Sequence, residues 1–265
     1  MVRQITKPTT SGGKGLSART AAHARAVLRN ALSDALRWGM VARNAAALSN
    51  APRVTETEMV AFSPEQARAF VEGAQGHREA ALYIVTLACG LRLGESTGLA
   101  WEDIDFDAST LRVRQSLSRE RGGFVVGQPK SRNSRRTLAL PAFAVAALRA
   151  HKAQQNAERL AAGPLWRNQL NLVFTTSAGA PLNPSSLTRR FRGALDDLGL
   201  PQMRFHDLRH SCASLLIAEG VHPRVIMQTL GHSQISLTMN RYGHVAQTVQ
   251  REVADRMDAL VSGNR

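Results

Sequence analysis

The chain has 265 residues, with 34 Lys+Arg against 20 Asp+Glu and a formal charge of +14, which is length enough for one or two domains with a sizeable core. Its two cysteines, Cys89 and Cys212, each lie in an apolar stretch, which excludes a disulfide framework and predicts buried, reduced thiols. No apolar run approaches the roughly 18 residues of a spanning helix, and the N-terminus lacks a signal-peptide layout, so a cytoplasmic protein with no membrane partner is expected. Almost all the cations are Arg, because Lys occurs only as Lys7, Lys14, Lys130 and Lys152. Arg presents a rigid planar fork suited to phosphate, so a polyanion is the expected partner.

Residues 1–16 are small and polar in their middle and read as a flexible basic tail. Ser17 then offers an N-cap, and Ala24, Val27, Leu28, Ala31, Leu32, Ala35 and Leu36 follow the i, i+3, i+4 spacing of an amphipathic helix. Arg25, Arg29 and Arg37 fall on another face, where they can follow a phosphate backbone or simply meet water. Residues 17–50 thus form a short helical domain, with one long helix and room for a second, and residues 51–62 read as a linker. The second domain, residues 63–265, opens on Ser63-Pro64-Glu65-Gln66, a capping-box layout with Pro at the first helical position. A helix over 78–89 stops at Gly90. Three extended runs, 111–115, 124–126 and 136–140, predict a small antiparallel sheet, with Gly122-Gly123 turning the chain between the first two. Arg132, Arg135 and Arg136 make this a basic hairpin suited to phosphates. Helices follow over 142–160, 184–198, 206–219, 222–230 and 243–261, with an isolated extended run at 172–175. The fold class is therefore mainly α with a small antiparallel β-sheet.

Several side chains have the character that phosphoryl transfer requires. Attack on a phosphodiester builds negative charge on the non-bridging oxygens, and fixed cationic donors are the largest protein contribution. Arg92 follows the Gly90 stop, where a side chain projects from a loop, and Arg209 lies three residues after His206, on one helical face. Glu95 is placed to orient Arg92, or to sit as a first-turn carboxylate, and Asp207 has the same two readings. Lys130, unlike an Arg, can release a proton to a leaving oxygen when crowded by cations. Tyr83 lies in an apolar run and is expected in the core, whereas Tyr242 stands in a polar, Gly-containing context that suits an accessible nucleophile. His232 follows Gly231 at a predicted helix end. No acidic cluster accompanies these residues, so metal-independent chemistry is expected. Taken singly, each has an ordinary alternative as a surface cation, a helix hydrogen bond or a turn anchor.

Taken in order, the stretches Gly90-Leu91-Arg92-Leu93-Gly94-Glu95, Pro129-Lys130-Ser131-Arg132, His206-Asp207-Leu208-Arg209-His210, Leu230-Gly231-His232-Ser233 and Thr238-Met239-Asn240-Arg241-Tyr242-Gly243-His244 resemble the tyrosine recombinase (phage integrase) family. The resemblance runs from about Ser17 to Val261. It implies a recombinase catalytic domain preceded by a partial core-binding (SAM-like) domain, and Arg92, Lys130, His206, Arg209, His232 and Tyr242 as the catalytic set. It further implies cleavage and rejoining of double-stranded DNA through a covalent 3′-phosphotyrosine and a Holliday junction, with no metal, cofactor or ATP. The implied partners are a homo-tetramer on synapsed DNA that exchanges its C-terminal helix (the stripe Val245, Val249, Val253, Met257, Leu260) and an accessory directionality factor. A nucleoid-associated protein of a phage or other mobile element follows. The N-terminal clamp is short for the family, which keeps two alternatives open: a remnant acting only as a DNA-binding or regulatory module, and a type IB topoisomerase-like relaxase.

Overall fold

The computed structural model describes residues 16–54, 60–127 and 134–231. The expected basic tail up to residue 15, the helix at 243–261 and the candidates Lys130, Arg132, His232 and Tyr242 lie outside the described residues. The chain divides into two compact units, Met1–Glu58 and Met59–Arg265.

In the first unit, Ser17 is extended and its Oγ accepts the Thr20 N–H at 3.1 Å, so helix α1 (Ala18–Arg37) begins where its cap predicts. A single turn, α2 (Ala45–Leu48), is capped by Asn44, whose Oδ1 accepts from Ala47 N while its Nδ2 donates to the Arg29 carbonyl and Ser33 Oγ. Arg25 closes the same joint, its Nε donating to Ser49 Oγ at 2.9 Å and its Nη2 to the Ser49 carbonyl at 2.5 Å. Polar groups therefore hold the pair together. The apolar stripe of α1 stays open, with Val27 57%, Leu28 43% and Leu36 43% exposed.

The second unit begins with α3 (Pro64–Gly73), where Ser63 and Gln66 make the reciprocal capping box. Helix α4 (Ala80–Cys89) starts two residues later than its periodicity suggests and is buried over almost its whole surface. It ends at Gly90, whose φ of +58° is left-handed, and a one-turn helix α5 (Leu93–Thr97) follows after Leu91 and Arg92.

The β region departs from expectation. Strands β1 (Ile104–Asp105), β2 (Thr110–Val113) and β5 (Arg136–Ala139) form one antiparallel sheet in the order β1-β2-β5, with Leu111 opposite both Ile104 and Leu138. The hairpin partner of the strand at 124–126 is not 111–115 but a separate strand: β3 (Ser116–Glu120) pairs with β4 (Gly123–Gly127) in a sheet of their own. The chain leaves the first sheet after Val113 because Arg114 is drawn to Asp103 and Glu102 and Gln115 donates to the Gly98 carbonyl at 2.7 Å. Strand β3 then lies against α5, and a Cβ on Gly98 would stand 2.7 Å from the Leu117 nitrogen. Two small sheets therefore replace the single one expected.

Four further α-helices follow among the described residues: α6 (Ala142–Ala162), α7 (Pro184–Asp197), α8 (Asp207–Ala218) and α9 (Pro223–Leu230). The extended run at 172–175 joins two isolated bridges, Ala100 with Leu172 and Thr175 with Pro181. Phe62, Phe70, Tyr83, Phe191 and Phe205 centre the core, with neighbouring ring centroids 5.1 to 6.2 Å apart. Tyr83 is thus the core tyrosine its context predicts. Helix α4 packs against both α6 and α8, which brings the Gly90–Arg92 turn to the helix that carries Arg209. Among the described residues, no helix is long and apolar enough to cross a membrane.

Candidate active site

A helix ends with main-chain carbonyls that have no partner within it and with the negative pole of its dipole. At the end of α9 three successive carbonyls each accept from a different arginine. Arg136 Nε donates to Thr229 O at 2.6 Å, Arg209 Nη2 to Leu230 O at 2.5 Å, and Arg92 Nη2 to Gly231 O at 3.1 Å. These arginines come from three different elements: strand β5, helix α8 and the turn before α5. Gly231, at φ +64°, closes α9 immediately before His232 in the sequence.

Each guanidinium is held a second time. Arg209, 3% exposed, donates through Nη1 to the Gly90 carbonyl at 2.6 Å, so one side chain ties the α4 stop to the α9 stop. Burial, followed by the nearby charge of Arg92, lowers its pKa to about 9, which leaves it charged at neutral pH. Arg92 donates through Nη1 to Glu95 Oε1 at 2.6 Å, and its main-chain N–H donates to Glu95 Oε2 at 3.1 Å. Arg136 Nη2 reaches that same Oε2 at 3.0 Å. Burial alone would raise the pKa of Glu95, yet the charge of Arg136 and the hydrogen bonds from Arg136 and Arg92 hold its carboxyl below the usual value. One Glu95 oxygen thus meets the Arg92 guanidinium and the other the Arg92 main-chain N–H at the start of α5.

The remaining candidates fall in different places. His206 is exposed at the cap position of α8, with its ring 5.0 Å from that of His210 and nearly perpendicular to it. Its backbone is already helical and its carbonyl accepts from the Arg209 N–H at 3.2 Å, with the His206 side chain exposed and that of Arg209 buried. Asp207 serves Arg204, accepting from its N, Nε and Nη2 at 2.8, 3.0 and 2.8 Å. Burial opposes its ionisation, but the Arg204 hydrogen bonds and charge win and lower its pKa. Arg136, read from sequence as a backbone-following cation, has 7% of its side chain exposed and belongs to the site interior instead. Its three nitrogens point to Glu95, Thr229 and Ser134, because the pleat of β5 turns it inward. Arg135 is exposed and lines, with Arg136, Thr137, Arg224, Gln228 and Gly231, a cavity of about 570 Å³ between β5 and α9. Of the N-terminal cations, Arg25 is turned to Ser49, Arg29 is exposed, and Arg37 pairs with Asp34.

Sequence reasoning missed Arg204 and the bracing role of Arg136. Arg204 stands three residues before Asp207, a spacing that was available as a signal. Cys89 and Cys212 are both buried, and burial pushes each thiol up to about 12, as expected of inert thiols.

A mostly helical body with small antiparallel sheets is the architecture of tyrosine recombinase catalytic domains. The chain belongs to the phage integrase family, whose profile matches residues 55–248. Over 216 residues it is 34% identical to a tyrosine recombinase XerC-like protein of Caldanaerobacter subterraneus subsp. tengcongensis, an alignment that covers 77% of this chain and 55% of that protein. An integrase of Saccharopolyspora erythraea is 28% identical over 301 residues, covering 94% of this chain and 68% of that one. This chain therefore spans about half to two thirds of these relatives' length. Among solved structures, the Tn1549 transposon integrase in complex with a circular intermediate DNA superimposes with a TM-score of 0.77 at 19% identity, over 95% of this chain and 91% of that chain. At that identity the likeness establishes the fold.

Proposed function

We propose that this chain is a site-specific DNA recombinase that cleaves and rejoins double-stranded DNA through a covalent 3′-phosphotyrosine at Tyr242. The observation that carries this reading is the convergence of Arg92 and Arg209 on one helix end within a chain of the phage integrase family. A guanidinium has five N–H donors, so it can be fixed by the scaffold and still clamp an oxyanion. Held in this way, Arg92 and Arg209 stabilise the charge that grows on the scissile phosphate without reorganising at the moment of reaction. Tyr242 supplies the nucleophilic phenolate, His206 and His232 assist at the phosphate, and Lys130 protonates the leaving 5′ oxygen. The phosphotyrosine conserves the bond, so resealing needs no ATP. Arg25, Arg29, Arg37, Arg132 and Arg135 are proposed to follow the backbone, and the working form is a homo-tetramer on synapsed DNA, assisted by a directionality factor.

The test is a nicked suicide duplex incubated with the protein in EDTA. A covalent adduct should accumulate with wild type and be absent with Tyr242→Phe, while DNA affinity stays nearly unchanged. Adduct without any Holliday junction between two labelled duplexes would favour a relaxase. Binding without any adduct would replace this reading with a DNA-binding module.

A further inference from the structure

The sequence singles out Arg136 as one more phosphate-facing cation, yet the structure buries it and aims it at three groups of the protein itself. Its Nη2 meets Glu95 Oε2 at 3.0 Å, its Nε meets the Thr229 carbonyl at 2.6 Å and its Nη1 meets the Ser134 carbonyl at 3.0 Å. Side-chain exposure is 7% for Arg136 and 3% for Glu95, so this is a buried ion pair, and removing either partner leaves the other as a less compensated buried charge. Glu95 in turn grips Arg92 through both its side chain and its main chain. One guanidinium therefore links the strand β5, the carboxylate that orients Arg92 and the last turn of α9.

We infer that Arg136 is a positioning residue for the strand-cleavage reaction: by joining Glu95 to the Thr229 carbonyl it fixes the separation between the Arg92 turn and the end of α9. The inference rests on the recombinase reading above. Without Arg136, two things change together. Thr229 loses its donor, so the end of α9 is anchored only through Leu230 and Gly231. Glu95 loses one of the cations that face it, which are Arg92 from the preceding turn, Arg136 from β5 and Arg209 from α8. A carboxylate that protonates more readily releases Arg92 at a higher pH. Arg136 thus acts through its neighbours and needs no contact with DNA.

The experiment compares wild type, Arg136→Met and Arg136→Lys as full chains, measuring single-turnover adduct formation on the suicide duplex across pH, alongside filter-binding affinity. Arg136→Met should react about ten- to a hundredfold more slowly, the scale of a small misplacement of a catalytic group, with affinity unchanged. Its rate should also fall off at higher pH on the acid side than that of wild type. Arg136→Lys keeps a charge beside Glu95 but cannot span three acceptors, so it should restore the acid limb and only part of the rate. A folded Arg136→Met with wild-type rate and pH profile overturns the inference, as does an affinity loss that matches the rate loss, which would make Arg136 a phosphate contact. Hydrogen exchange on the DNA-free protein separates the two readings. Amides 229–231 should exchange faster in Arg136→Met while α4 is unaffected, and unchanged exchange there sinks the bracket alone. A wild-type chain that gives no adduct sinks the recombinase reading, and the reaction role of Arg136 with it.

Discussion

Arg209 is held by two main-chain carbonyls and, among the described residues, pairs with no carboxylate, which decides what its loss does. Arg209→Ala leaves the Gly90 and Leu230 carbonyls without their donor in a buried setting, at a cost of about 1–3 kcal/mol each, and removes the proposed oxyanion donor. Adduct formation should slow by roughly a hundredfold or more, and urea unfolding should show the stability loss. Arg209→Lys should recover little, because one ammonium cannot reach two carbonyls and a phosphate in the same plane. Glu95 sets a pH dependence of definite sign. Its folded pKa lies below the unfolded one, near 4.3, so its contribution is fully present above that value and is lost as pH falls through the folded pKa. Asp207, lowered by Arg204, acts in the same direction. Unfolding free energy should therefore drop as pH falls below the ordinary carboxylate range, and Glu95→Gln should flatten that drop. His151 adds a separate loss at milder acidity. Buried, with its Nε2 2.8 Å from the Val173 carbonyl, it is held below the usual 6.5 chiefly by burial, so the unfolded chain takes up the proton first and stability declines as pH falls through 6.5. His151→Gln should remove this decline in a pH series of urea midpoints.

Among the elements, the turn from α4 to α5 is closely packed against the end of α9. Gly90 and Gly220 have similar φ, +58° and +69°, but a Cβ on Gly90 would lie 2.4 Å from Leu230 Cδ2, while one on Gly220 would meet nothing within 4 Å. Gly220→Ala should cost about 1–2 kcal/mol for the left-handed backbone alone. Gly90→Ala should exceed it by roughly 1–3 kcal/mol of overpacking and also slow adduct formation, since Arg92 follows that turn. Urea unfolding of both variants gives the difference directly. Such stops and caps were legible in the sequence because their causes are local: Ser17 and Ser63 cap the helices they precede, and Gly90 ends the one before it. The strand pairing was not legible, since β2 joins β5 across the whole hairpin, and which of two extended runs pairs with 124–126 depends on the pull of Asp103 on Arg114. For the site, the motifs identified Arg92, Glu95 and Arg209 but not what holds them. Arg92 meets Gly231 from 139 residues away, and Arg136 meets Glu95 from 41 away, distances that no periodicity encodes.

For the whole molecule, the charge of +14 makes the proposed DNA binding a matter of counterion release. Log affinity should fall with log salt at a slope of several units, and a flat filter-binding titration would contradict it. Since Arg136 is interior and Arg135 is exposed, Arg135→Ala should reduce that slope by about one while Arg136→Met leaves it alone. The row of carbonyls at the end of α9 also bears on how the sequence can drift. Where two side chains pair, a change in one can be answered by a change in the other, as Glu95 could be for Arg92. Thr229, Leu230 and Gly231 receive their arginines through atoms that every amino acid shares, so no substitution at those acceptors can accommodate a shorter or uncharged donor. Position 209, both of whose acceptors are carbonyls, is therefore closed to compensation, and a library varying 92, 95, 136 and 209 together should recover active chains with replacements at 95 before any at 209.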